Sequence, residues 1–237
     1  MQTQVGTRSI TVAQARREAS TVFLAKVFNW MAIGLAVTGA VAFLTAESGM
    51  ARTLVASPLF FILVLAELGM VFFLSARIDK LQPGTATGLF LGYSILNGLT
   101  LSTIFLAYTH ASIAGTFLVT AGMFGAMAVY GLVTKRDLSG MGSFMFMGLI
   151  GILLASVVNI FLKSPGLYWA ISGIGVLVFV GLTAYDVQKI KTIGEEGIMQ
   201  QGEAAIHKGS IIGALALYLD FINLFLMLLR FFGGSRD

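Results

Sequence analysis

The chain has 237 residues, of which 57% are hydrophobic and only 11% are charged, and its mean hydropathy is +0.90. A water-soluble domain carries roughly 25% charged residues, so this composition excludes one and predicts a surface that faces lipid. Lys and Arg number 15 against 11 Asp and Glu, and Cys is absent, which excludes a disulfide framework, thiol chemistry and a thiolate metal site.

Residues 1–21 are polar and carry Arg8, Arg16 and Arg17. No small-residue cleavage site follows closely, and the next apolar run is too long for a signal-peptide core. A retained cytoplasmic N-terminal segment is expected, then a membrane domain over 22–232 and a short tail over 233–237. A bilayer core of ~30 Å takes ~20 apolar residues per helix. Seven segments qualify: 22–46, 58–76, 85–108, 112–133, 143–162, 167–188 and 211–231. The predicted fold class is therefore an all-α integral membrane bundle of seven transmembrane helices. Pro58, Pro83 and Pro165 fall at or just before helix starts, where the missing N–H costs nothing.

Basic residues sit in short segments between the runs, where they set topology rather than hold nucleic acid. With the N-terminus inside, Arg8, Arg16, Arg17, Lys26, Arg77, Lys80, Lys135, Arg136, Lys189, Lys191 and Lys208 are internal. Arg52, Lys163, Arg230 and Arg236 are external. This bias predicts a cytoplasmic N-terminus in a bacterial inner membrane, with the last segment free to be shallow or re-entrant. Gly84, Gly88 and Gly92 form overlapping GxxxG steps on the third span, and Gly122, Gly125, Gly148, Gly151, Gly173, Gly175 and Gly181 lie in spans four to six. These are expected to bring helices close together.

Ionisable groups inside spans are costly unless paired or hydrated. Glu67 lies mid-span in the second segment, Asp186 near the inner end of the sixth, and Asp220 about halfway along the seventh, with Asn223 one turn on. Arg77 closes span two on the inner side. Asn97 and Asn159, neutral groups within spans three and five, read as interhelical hydrogen-bond partners. Spans six and seven are joined by a loop on the inner side and so run antiparallel. If Asp186 and Asp220 meet, one shared proton is cheaper than two buried charges, and the pair titrates as a unit. Such a pair is a proton-sensitive latch, which Arg77 is placed to hold from span two. Simple depth counting sets Asp220 deeper than Asp186, so contact requires span seven to start deeper or span six to extend further.

The run from Thr183 through Tyr185, Asp186, Gln188 and Lys189 to Ile190 resembles the Tyr-Asp-x-Gln signature of the Bax inhibitor-1 family, in its bacterial YccA-like branch. The run from Ala216 through Tyr218, Asp220, Asn223 and Phe225 is similar to that family's last-span signature, and the resemblance covers nearly the whole chain. It implies six helices around a central seventh and an aspartate pair, Asp186 and Asp220, that senses pH and controls a calcium leak. It implies Arg77 as latch and Glu67 as a carboxylate of the ion pathway. Cell-death suppression belongs to eukaryotic relatives and is not expected of this chain.

Calcium takes six to eight oxygens. Asp186 and Asp220, with Glu67, Asn223 and water, offer a weak transient site suited to conduction, with calcium as the permeant ion and no resident cofactor. The expected partners are the lipid bilayer, calcium and protons, with no nucleic acid. An intramembrane aspartyl protease would need Gly-x-Gly-Asp where the chain has Leu217, Tyr218, Leu219 and Asp220. A serine protease would need a span-borne His, and His110 and His207 are expected in loops. The chain is therefore not read as an enzyme. A non-conducting partner of a membrane protease or other channel, and a proton-coupled cation transporter, stay open at this point.

Overall fold

The computed structural model describes residues 2–234, and side chains from residue 14 onward except residue 199. Arg8, as a side chain, and the end of the tail with Arg236 lie outside the described residues. The chain is a helical bundle whose elements run α1 (Gln2–Glu47), α2 (Met50–Val55), α3 (Leu59–Arg77), α4 (Pro83–Leu101), α5 (Ile104–Ala107), α6 (His110–Val133), α7 (Ser139–Leu162), α8 (Pro165–Glu195) and α9 (Glu203–Phe232). Among the described residues, seven helices are long and apolar enough to cross a bilayer, α1 from Gln14, α3, α4 with α5, α6, α7, α8 and α9. The segment expected before the first span is continuous with it as one helix.

Three boundaries differ instructively from the sequence reading. Span six was expected to end at Gln188 and runs on to Glu195, while span seven was expected from Ile211 and begins at Glu203. Hydropathy loses both stretches because Lys189, Lys191, Glu195, His207 and Lys208 belong to helix turns that carry polar side chains. Span three breaks at Ser102 and Thr103 before the single turn of α5. There the hydroxyls donate to Leu99 and Thr100 carbonyls at 2.6 and 2.8 Å, and such back-bonding bends helices. Pro83 and Pro165 each open a helix, as expected. Outside the spans, the Asp137 carboxylate accepts from Ser139 N at 2.9 Å, and hydrogen bonds from Ser139 hold it below the ordinary carboxylate range.

The central helix is α9, most of whose apolar stretch is buried, whereas almost none of α3 or α7 is. Around α9 pack α8, α1, α6 and α4, with α3 seated on α4 and α7 on α8. Phe61, Phe72 and Phe161 on the outer helices are 70%, 72% and 80% exposed, an apolar surface that fits lipid. The core is made by α9 itself, through Leu217, Tyr218, Leu224 and Leu229.

Close approach rests on glycines, but not on the expected stripe. A Cβ at Gly84 or Gly88 would meet nothing within 4 Å, and the same holds for Gly122, Gly125 and Gly151. Tight contacts include Gly98, where α4 meets Thr38 and Val41 of α1, and Gly131, where α6 meets the Ala184 backbone of α8. Gly148, Gly175 and Gly181 do lie against neighbouring side chains. Spacing identifies which glycines share a face, but not which face a partner covers.

Candidate functional site

Asp186 stands on α8, with nine residues of helix after it, and Asp220 stands deep within α9. Asp186 shares a cavity wall with Ala216, one turn closer to the helix start than Asp220. Each Cα–Cβ bond leans toward its own helix N-terminus. Since α8 and α9 are antiparallel, Asp186 leans away from the α8–α9 loop and Asp220 leans toward it, which closes the gap that depth counting left. Their carboxyls lie within side-chain hydrogen-bond reach of each other.

Asp220 is 4% exposed, and its Oδ2 has no donor among the described residues. Two ionised carboxylates are both acceptors, so the contact between them is a hydrogen bond only when one carries a proton. Asp186 is half-buried and opens onto a cavity of about 430 Å³ at the end of the bundle that carries the α8–α9 loop. Phe23, Ile190 and Ile212 supply apolar wall, and Asp79, Lys189 and Lys208 supply charge. Asp220 does not line the cavity, so Asp186 stands between it and the open space. A charge so buried is expensive unless neutralised or paired, and Lys189 is the cation whose field reaches Asp186.

The other expected site residues fall elsewhere. Arg77 is exposed at the last turn of α3 and makes no side-chain hydrogen bond or ion pair with either aspartate among the described residues, so the expected latch is not formed here. The reason is positional: α3 seats on α4, a layer away from the α8–α9 contact. Its neighbour Asp79 reaches the mouth instead, where its carbonyl accepts from Lys208 Nζ at 2.9 Å. Asn223 donates to the Leu219 carbonyl of its own helix at 2.8 Å and is occupied there rather than beside the pair. Glu67 is held far from the pair, accepting from Thr100 Oγ1 at 2.7 Å and Asn97 Nδ2 at 3.2 Å. Asn159 caps its helix end by accepting from Ser164 N at 3.0 Å. Among the described residues no three His, Cys, Asp or Glu side chains gather in metal-ligand geometry.

Both histidines, expected in loops, stand in the opening turns of α6 and α9. His207 Nε2 lies 2.7 Å from Thr87 Oγ1, whose hydroxyl donates to the Pro83 carbonyl at 3.2 Å. The ring tautomer decides which of the two donates, and the bond ties the start of α9 to α4.

Sequence reasoning passed over Gln188, four residues before Thr192 on α8. Its Oε1 accepts from Leu138 N and its Nε2 donates to the Arg136 carbonyl, both at 2.8 Å. Lys191 Nζ donates to the Leu132 carbonyl at 2.8 Å. These bonds fasten the α6–α7 connection to α8 just past Asp186. The Tyr-Asp-x-Gln pattern carried that signal without its meaning.

A seven-helix membrane bundle with a buried carboxyl pair on its sixth and seventh spans is thereby defined. The chain belongs to the Bax inhibitor family: the family described as "Inhibitor of apoptosis-promoting Bax1" matches over residues 20–237. It is similar to the inner membrane protein YbhL of Escherichia coli, 55% identical over 231 residues, covering 97% of this chain and 98% of that one. An uncharacterized protein of Deinococcus radiodurans is 46% identical over 237 residues, 100% of this chain and 98% of the other. An uncharacterized membrane protein of Streptococcus pyogenes is 39% identical over 217 residues, 90% and 93% of the two.

Proposed function

We propose that the protein is a pH-sensitive calcium leak channel of a bacterial inner membrane, N-terminus in the cytoplasm, gated by a proton shared between Asp186 and Asp220. The observation that carries this reading is the approach of the two carboxyls, with Asp186 on the cavity wall and Asp220 buried behind it. With one proton between them, the carboxyls bridge α8 to the central helix and the path is shut. With that proton lost, two negative charges face each other in a poorly hydrated site, the helices separate, and the freed oxygens attract a cation.

The sign follows from charge alone: acid on the cavity side closes, and alkali opens. The cavity admits cytoplasmic protons to Asp186 first, so cytoplasmic pH sets the gate. Two carboxylates give a weak site, which lets calcium leave as well as enter. The reading assigns no catalysis. Arg77 takes no part in the closed arrangement.

The test is calcium flux into dye-loaded liposomes across about pH 5 to 8 for the wild type, Asp186→Asn and Asp220→Asn. Flux that rises with pH and loses that dependence in either variant is the expected result. No flux above empty liposomes at any pH would overturn the channel reading and leave a non-conducting interaction protein in its place.

A further inference from the structure

A second carboxyl site lies on the other side of the central helix and takes no part in the contact described above. Glu67 on α3 is joined through Asn97 on α4 to Tyr218 on α9, whose hydroxyl donates to Asn97 Oδ1 at 3.0 Å. Tyr218 is also 2.6 Å from Thr38 Oγ1 on α1, with either oxygen able to donate. Four helices meet in one chain of hydrogen bonds, and Tyr218, Thr38 and Asn97 are buried within it.

The two hydroxyls at its ends each have one hydrogen and two acceptors. Thr38 lies 2.6 Å from Tyr218 and 2.8 Å from the Ser94 carbonyl, and can donate to one of them at a time. Thr100 reaches Glu67 Oε1 at 2.7 Å and the Asn97 carbonyl at 3.0 Å. Between them stands an amide whose donor and acceptor exchange places by a half-turn of its last torsion.

These choices are linked. When Glu67 is ionised it only accepts, and every hydrogen runs toward it: Thr38 to Tyr218, Tyr218 to Asn97 Oδ1, and Asn97 Nδ2 and Thr100 to the carboxylate. When Glu67 carries a proton, its hydroxyl donates to Asn97 Oδ1 after the amide turns. Asn97 Nδ2 then donates to Tyr218, Tyr218 to Thr38, Thr38 to the Ser94 carbonyl, and Thr100 to the Asn97 carbonyl. Both arrangements leave each hydroxyl and carboxyl hydrogen, and one amide hydrogen of Asn97, with an acceptor. A chain with two complete, opposite settings is a two-state element.

We propose that Glu67 is a proton-binding site whose state is passed, by reversal of this chain, to Tyr218 on the central helix two residues before Asp220. No proton crosses the chain. The one that binds Glu67 stays there, and only the direction of the bonds changes. Tyr93 of α4 and Tyr218 of α9 are the ionisable side chains that feel the Glu67 charge, while Thr38 is the contribution of α1. No Lys, Arg or His among the described residues bonds to Glu67. The Asp186 side of α9 is faced by Lys189, with Asp79 and Lys208 at the cavity. Tyr218 is a positioning residue here: it fixes the face that the central helix presents to α8. The output of the site, though not the site, rests on the gating role of the aspartates.

The test uses the full chain in lipid nanodiscs and infrared difference spectra of protonated carboxyl groups on acidification. The Asp186→Asn, Asp220→Asn double variant removes the pair from the spectrum. The expected result is a carboxyl band in that background that disappears with Glu67→Gln. Its midpoint should move by about one pH unit, tenfold in proton affinity, when Tyr218→Phe or Thr38→Val cuts the chain. Two independent cuts guard against a variant that fails to fold. No Glu67-dependent band between about pH 5 and 8, or a midpoint indifferent to both cuts, overturns the proposal. In the flux assay, Glu67→Gln should shift the pH midpoint of wild type but not of Tyr218→Phe. A midpoint unmoved by Glu67→Gln, in a protein that conducts, overturns the link to the central helix. Absence of flux in every variant with the infrared result intact counts against the channel reading and leaves the proton site standing.

Discussion

Replacing Gly98 by Ala should loosen the bundle, and the same change at Gly88 should not. A Cβ at Gly98 stands 2.7 Å from Val41 Cβ and 2.8 Å from the Thr38 carbonyl oxygen, where carbon contacts settle near 3.5–4.0 Å. Relief requires α1 to back away from α4 by roughly 1 Å. Overpacking of that kind costs about 1–3 kcal/mol. Thr38 is also the residue that bonds Tyr218 at 2.6 Å and Ser94 at 2.8 Å. Lengthening either by roughly 1 Å takes it out of hydrogen-bond range, and a buried hydroxyl left unpaired costs about 1–3 kcal/mol more. Against this stands about 0.5–1 kcal/mol of helix preference for Ala over Gly. The expected loss is about 3 kcal/mol for Gly98→Ala. Gly88→Ala, where the new methyl meets nothing within 4 Å, should be neutral or gain the helix preference alone. Denaturant unfolding in detergent, followed by tryptophan fluorescence, gives both values on one scale. Agreement of the two variants within about 0.5 kcal/mol, the scatter of ordinary surface changes, would refute the close contact of α1 and α4.

Other consequences are testable with the same protein. Gln188→Leu leaves Leu138 N and the Arg136 carbonyl without their 2.8 Å partners, so trypsin should cut after Lys135 or Arg136 several-fold faster than in wild type. Unchanged cleavage would mean the clamp does not hold that connection. Leu65, 67% exposed on α3, faces lipid in this arrangement, so Leu65→Lys should lower the membrane-inserted yield, by about 2.5–3.5 kcal/mol of insertion free energy at a helix centre. Normal yield would place that face against protein or water. Because the chain has no Cys, single cysteines report topology cleanly: Lys135→Cys should react with an impermeant maleimide only from the cytoplasmic side, and Lys163→Cys only from the other. The opposite pattern would invert the proposed orientation.

The spans were legible because lipid demands long apolar runs, and each of the seven has at least one end within a few residues of where hydropathy sets it. What hydropathy misses is helix that continues past the bilayer. The polar turns after Gln188 and before Ile211 are as helical as the spans, and they are what gives the cavity its walls. Asp186 and Asp220 stood out because each is a carboxylate in an apolar run, a signal readable one helix at a time. Arg77 carried no such signal. Its layer in the bundle, on α3 against α4, is what the reading missed, because depth can be counted from a sequence and lateral position cannot. The Thr38, Asn97 and Tyr218 chain was out of reach for the same reason. Each member is an ordinary polar residue, and only the packing of α1, α4 and α9 brings together positions 121 and 180 residues apart.

The arrangement gives the central helix an unusual duty. Successive residues of a helix turn by about 100°, so Tyr218 and Asp220 point roughly 200° apart, one toward α1 and α4 and the other toward α8. A helix on the rim of the bundle would have to present one of these groups to lipid, at a cost of several kcal/mol for a carboxylate. Only the enclosed helix can hold polar groups on opposite faces and satisfy both from protein. It also follows that neither contact is free to change alone. A small rotation or shift of α9 that opens the Asp186 contact must strain the Tyr218 hydroxyl, which has partners at 2.6 and 3.0 Å and little slack. The hydrogen bonds on one face therefore set the stiffness against which charge repulsion on the other must work. That opposition is what would make a bundle of mostly featureless apolar helices respond to a proton as a switch rather than as a gradual swelling.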